Sequence, residues 1–161
     1  MPFSSNSSSL PEVFVRFGRI QVLTELLSDD NEHCVMQVTL LPGGVFPIYR
    51  SDREVFFVLS GEMSLWRTEI GWQTLNVGDV LDIPINEKHA WKNSNKETVV
   101  FIMITTMRAG HFLHEFDRLV SSVSFNPLSS KFRQYFFETM TRHGFWIGTP
   151  EENAAIGLSM D

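Results

Sequence analysis

Glu54 opens the apolar run Glu54-Val-Phe-Phe-Val-Leu-Ser-Gly61, and His89 stands in a second stretch marked by Gly78, Pro84, Asn86, His89 and Asn93. A carboxylate and an imidazole held together are the raw material of general acid–base catalysis, in which a positioned side chain gives or takes a proton as a bond changes. Arg50, close ahead of Glu54 in the chain, adds a guanidinium. Its planar fork would pair with Glu54 and receive a carboxylate, enolate or phenolate of a ligand. Each residue also has an ordinary reading. A glutamate at a strand start is a surface residue, a histidine following Lys88 in a polar loop is solvated or structurally bonded, and an arginine usually reaches solvent. The same Glu–His pair also makes a satisfied polar network in a pocket that catalyses nothing.

These side chains depend on strands to place them. Met36, Val38 and Leu40 alternate with Gln37 and Thr39 across His33 to Leu41, the period of a half-buried strand. Short runs follow at Phe46–Arg50, Glu54–Leu59, Met63–Thr68, Gln73–Leu75, Val80–Ile83, His89–Lys92 and Thr98–Thr106, with Gly, Pro and Asn between them. Earlier, Glu12 to Leu27 carries two β-rich runs broken at Gly18. Many short strands at about ten-residue spacing predict an antiparallel barrel or sandwich. Strand parity sets Trp91 on the face of His89 and Phe56 on the face of Glu54. After Gly110 the period changes to helical: Phe112, Phe116, Leu119 and Val120, then Phe132, Phe136 and Met140, are spaced for apolar helix faces. Thr149-Pro150-Glu151-Glu152 reads as a capping box with proline at the first helical position. Helices this short are marginal alone, so the tail must pack on the sheets or on a partner chain.

Composition narrows the class. The chain has 161 residues with 43% hydrophobic and 20% charged, including 14 Phe and 4 Trp, enough for one domain with an aromatic core. A net charge of -6 with no basic stripe argues against nucleic acid and anionic membranes as partners. The single Cys34 forms no internal disulfide, which predicts a reducing, cytoplasmic setting. The Ser/Asn-rich start to Leu10 reads as a disordered lead without signal-peptide character.

The two marked stretches resemble the paired motifs of the cupin superfamily, small β-barrels that often hold a metal on three histidines and a glutamate. Glu54 and Gly61 match the glutamate and glycine of the first motif; Gly78, Pro84, His89 and Asn93 match the second, with Asn86 where glycine is usual. The barrel followed by a helical tail also resembles the small quercetin-dioxygenase-like cupins. This resemblance implies an all-β jelly-roll barrel over residues 12–110, a lead at 1–11, a helical extension at 111–161 and a homodimer. It also implies that Glu54 and His89 face inward.

The resemblance breaks at the His-x-His of the first motif. Counting back from Glu54 puts Ile48 and Arg50 at those places, and counting forward from Gly44 puts Arg50 and Asp52 there; neither finds a histidine. Two ligands seldom hold a transition metal, and an adjacent arginine disfavours a cation. No metal and no cofactor are therefore expected, with a site of Asp52, Glu54 and His89 as the one escape. The predicted function is a metal-independent enzyme doing isomerisation, cyclisation, dehydration or decarboxylation on a small aromatic or polyketide-like molecule. Glu54 and His89 would move protons and Arg50 would stabilise negative charge, with Met36, Val38, Ile48, Phe56, Trp91 and Met103 lining the cavity. The alternative is a non-catalytic sensor or carrier, with a metal-dependent dioxygenase third.

Overall fold

Alternation between buried and exposed side chains writes out most of the fold. The computed structural model describes residues 18–23, 32–120 and 130–158. Ten strands are found among them: β1 (Gly18–Val22), β2 (His33–Leu40), β3 (Val45–Arg50), β4 (Glu54–Ser60), β5 (Met63–Arg67), β6 (Gly71–Leu75), β7 (Val80–Ile83), β8 (His89–Lys92), β9 (Val99–Thr106) and β10 (Trp146–Ile147). The helices are α1 (Met107–Val120), α2 (Ser130–Arg142) and α3 (Pro150–Ala155). All strand pairings are antiparallel. They form two five-stranded sheets, ordered β1-β2-β9-β4-β7 and β10-β3-β8-β5-β6. The architecture is the expected all-β jelly roll with helices after it, except that the two sheets do not close into one continuous barrel.

The inner faces carry the core. Met36, Val38 and Leu40 of β2, Phe56 and Val58 of β4, and Phe101 and Met103 of β9 are wholly buried in the first sheet. Phe46, Tyr49, Leu65 and Trp91 meet them from the second. The rings interlock: Phe46 stacks on Trp91 at 4.8 Å between centroids, and Trp91 meets Phe101 edge-on at 5.4 Å. Such pairs add about 0.5–1.5 kcal/mol each beyond the area they bury.

One irregularity decides the site. Phe46 pairs with Trp91 and Tyr49 with His89, so β3 spends three steps where β8 spends two. This β-bulge surrounds Pro47, which has no N–H to give a ladder and is tolerated in sheets at such places. The extra residue reverses parity: Phe46 and Tyr49 both turn inward, while Ile48 packs in a separate cluster with Ala90, Trp66 and Ile156. The Ile48 N–H, displaced from the ladder, donates to Asn153 Oδ1 of α3 at 2.9 Å. Gly148 N–H donates to the Ile48 carbonyl at 2.8 Å, and a Cβ at Gly148 would press on the Ile48 side chain.

The tail packs on both sheets. Thr106 caps α1, its hydroxyl accepting from Ala109 N–H at 3.1 Å. Asp117 of α1 accepts the Ile20 N–H at 2.8 Å, and Gly110 lies so close to Cys34 that a Cβ there would overlap the sulfur. Of the apolar face expected on these helices, Phe112 and Met140 are buried in the core, while the side chains of Phe116, Leu119, Val120, Phe132 and Phe136 lie outside the description. The Thr149 capping box is present with Pro150 inside it, as expected. The tail also holds β10, a strand the helical periodicity did not announce; it pairs Trp146 with Arg50 and Ile147 with Tyr49. The lead at 1–11 and most of the Glu12–Leu27 runs lie outside the described residues.

Candidate functional site

Glu54 begins β4 on the inward phase, so its carboxylate enters the interior and is 0% exposed. His89 begins β8 and is 1% exposed. The two meet, His89 Nε2 lying 2.8 Å from Glu54 Oε1. The other ring nitrogen, Nδ1, lies 2.9 Å from the Glu87 carbonyl oxygen. A carbonyl only accepts, so Nδ1 carries a proton. The Nε2···Oε1 contact then holds one more proton between an imidazole and a carboxyl group. Tyr49 brings a further donor: its hydroxyl gives to Glu54 Oε1 at 2.6 Å and accepts from Trp91 Nε1 at 3.0 Å. Ser51 Oγ reaches Oε2 at 3.1 Å. Oε1 thus takes both the Tyr49 hydroxyl and the contact with His89 Nε2, while Oε2 takes Ser51.

Tyr49 is the residue that the motif count missed, since that count picked Ile48 and Arg50 on either side of it. Burial first, then the neighbouring Glu54 charge and the hydrogen bond to it, push the phenol well above its ordinary value, against a smaller opposing pull from Trp91. It therefore acts as a fixed donor and not as a base. Pro47 was the available signal, because a proline inside a strand marks a bulge and a bulge reverses the faces that follow.

The expected residues fall into three places. Glu54 and His89 come together, and Met36, Val38, Phe56, Trp91 and Met103 pack around them with no exposed surface, as core. Asp52 does not join Glu54; its carboxylate accepts from Arg108 Nη2 at 2.6 Å and Thr106 Oγ1 at 2.6 Å. These bonds, led by the one from Arg108, hold it below the ordinary carboxylate range. Arg50 and Ile48 are the correction. The bulge sends both to the outer face of the second sheet, so Arg50 does not reach Glu54 and Ile48 does not line the interior. The Arg50 guanidinium lies 4.8 Å from the Trp146 ring centre, across the β3–β10 pair. There it borders a groove of about 570 Å³ with Ile48, Trp66, Lys88, Glu152 and Ile156. His111 and His114 are exposed.

A metal in the interior does not fit this donor set. Among the described residues no group of three or more His, Cys, Asp or Glu side chains is placed to hold one. Glu54 Oε1 and His89 Nε2 face each other in a direct hydrogen bond, and the third oxygen nearby is the raised Tyr49 phenol.

The cupin domain family model matches residues 36–105. Solved structures of similar fold include the DMSP lyase DddQ of Ruegeria pomeroyi, at 16% identity and a TM-score of 0.51 over 60% of this chain and 50% of that one. This chain thus spans only half of the lyase. A cupin with a double-stranded β-helix from Methanocaldococcus jannaschii aligns at 17% identity and TM-score 0.49, covering 56% of this chain and 81% of that one. The polyketide cyclase RemF of Streptomyces resistomycificus aligns at 20% and 0.46, covering 49% and 57%. At these identities the likeness is one of fold. No curated protein matches the chain.

Proposed function

We propose, from the match of the cupin domain family model to residues 36–105, a small-molecule-binding cupin whose interior polar residues serve the fold and whose ligand binds outside the sheets. The observation that supports this is the closure of the interior. Glu54, His89 and Tyr49 are 0–1% exposed, every one of them bonded to another, under an aromatic layer that leaves none of them a free face. A buried, fully bonded network adds rigidity to a core. Substitution Glu54→Gln tests it: the melting temperature is expected to fall while affinity for any bound small molecule stays unchanged.

Proton-transfer catalysis is the second reading, favoured by the proton shared between His89 and Glu54. It requires the Phe46–Trp91–Phe101 layer to part for a substrate. Its signature is the opposite result, a folded Glu54→Gln variant that has lost turnover by ~10²–10⁴-fold. A dioxygenase activity is set aside because the donor set does not fit its metal.

A homodimer belongs to the same proposal. The outer face of the first sheet exposes Phe57, Leu59, Val80 and Ile104, with Phe57 paired across to Val80. Light scattering should give twice the chain mass, and Phe57→Lys should halve it; a monomeric wild type would remove this part.

A further inference from the structure

The arginines whose side chains are described divide sharply by what they hold. Arg19, Arg53, Arg67, Arg108 and Arg142 each grip a carboxylate, on Asp117, Asp82, Glu87, Asp52 and Glu115 respectively. Arg118 stands exposed. Arg50 is half-buried, and its side chain makes no hydrogen bond or ion pair among the described residues; its Nε is sealed from solvent with no partner. The sealed Nε is out of a ligand's reach, so the donors open to the groove are the two terminal nitrogens, which likewise have no partner among the described residues. The guanidinium lies over the face of Trp146, 4.8 Å from the ring centre, across the β3–β10 pair.

The groove beside it has the make-up of a ligand site. Its volume of about 570 Å³ falls within the ordinary range for small-molecule pockets, roughly 300–1,000 Å³. One wall is apolar, from Ile48, Trp66 and Ile156. The rim is already balanced: Lys88 bonds Glu152 at 2.9 Å, and Glu87 is taken by Arg67. Arg50 is thus the cation left over, on a surface that also carries Glu69, Glu87 and Glu152. With Glu87 and Glu152 paired, the exposed Glu69 is the rim carboxylate with no ion pair among the described residues. It disfavours a dianion such as phosphate more than a monoanion, and the single guanidinium accepts a planar carboxylate two bonds at a time.

We propose that the outer groove binds a small aromatic carboxylate, its ring on the Trp66–Ile156 wall and its carboxylate on the Arg50 fork. This rests on the reading that ligands bind outside the sheets. It names the chemical class and the anchoring residue.

The probe is benzoate, with benzamide as the same ring without charge and inorganic phosphate as the competing anion. Binding is followed by calorimetry and by the indole N–H signals of Trp66, Trp146 and Trp91 in NMR. Benzoate is expected to bind with a Kd on the order of 1 mM, fitting so few atoms, and benzamide at least about tenfold more weakly. Phosphate is expected not to bind. Arg50→Gln should cost benzoate at least about tenfold, Arg50→Lys about threefold through loss of the fork, and Arg53→Gln nothing. An unchanged melting temperature in each variant shows that the fold is kept.

Equal binding of benzoate and benzamide, or indifference to Arg50→Gln, overturns the carboxylate assignment. So does absence of benzoate binding up to roughly 10 mM. The broader reading fails differently: benzoate shifts centred on Trp91 instead of Trp66 and Trp146 would mean that the interior, not the groove, takes the ligand.

Discussion

The interior of the sheets and the groove outside them solve opposite problems with similar residues. Inside, one carboxylate receives a tyrosine, a histidine and a serine, the histidine's far nitrogen has a carbonyl, and the tyrosine has a tryptophan donor. Outside, an arginine has an aromatic face beneath it and nothing to bond. Only a few residues of β3 separate the two, since Tyr49 points in and Arg50 points out. Residue type alone therefore does not locate a binding site. A cluster of acid–base groups that satisfies itself asks nothing of a ligand, whereas a held but unmatched charge does.

The sharpest way to break this contrast is to remove the centre of the inner network. Glu54→Ala removes the acceptor of the Tyr49 hydroxyl and the partner of His89 Nε2 in a sealed core, leaving His89 its Glu87 carbonyl and Ser51 the Asp52 carbonyl. The expected loss is about 3–5 kcal/mol, or roughly 6–20 °C in Tm by calorimetry; a change within error would mean the interior is open to water. Tyr49→Phe is milder. It takes one donor from Glu54 and the acceptor from Trp91, for an expected loss of about 1–3 kcal/mol in denaturant titration.

Asp52 supplies the pH dependence. Its carboxyl is held below the ordinary range in the folded protein, chiefly by the bond from Arg108, so the deprotonated form favours folding. That contribution is complete above the unfolded value near pH 4 and fades as pH falls through the lower folded one. Arg108 is 54% exposed, which screens the pair and keeps it to about 1 kcal/mol. Asp52→Asn should therefore lower Tm slightly at pH 7 and flatten its fall below pH 4; an unaltered acid limb would deny the pair a role. At the small end, Arg50→Met keeps the packing on Trp146 and removes a charge that nothing pairs. Its stability is expected within about 0.5 kcal/mol of wild type, on either side, and a loss near that of Tyr49→Phe would show that Arg50 has a partner after all.

Much of the fold was legible because alternation is a two-residue signal that survives without context: β2, β4, β8 and β9 lie where their apolar periods put them. Glu54 and His89 were found by the spacing of the two motifs, and both are inside. Parity fails where a residue is inserted, and the bulge at Pro47 carried Ile48 and Arg50 outward and Tyr49 inward. β10 was not legible, because two residues have no period and the strand exists only through pairing with β3. Asn153 was unreadable for a similar reason: its partner, the Ile48 N–H, is a donor left without a ladder acceptor by the same bulge, 105 positions away in sequence.

The central claim, a closed interior that shares its protons internally, is tested most directly by the imidazole N–H signals of His89 in water. Both ring nitrogens are bonded to protein and shielded, unlike those of the exposed His111 and His114. The expected NMR spectrum contains a slowly exchanging Nδ1–H resonance and a second protected signal from the proton shared with Glu54, both of which vanish in His89→Asn. Ring protons of His89 that exchange with water as fast as those of His111 and His114 would contradict the account.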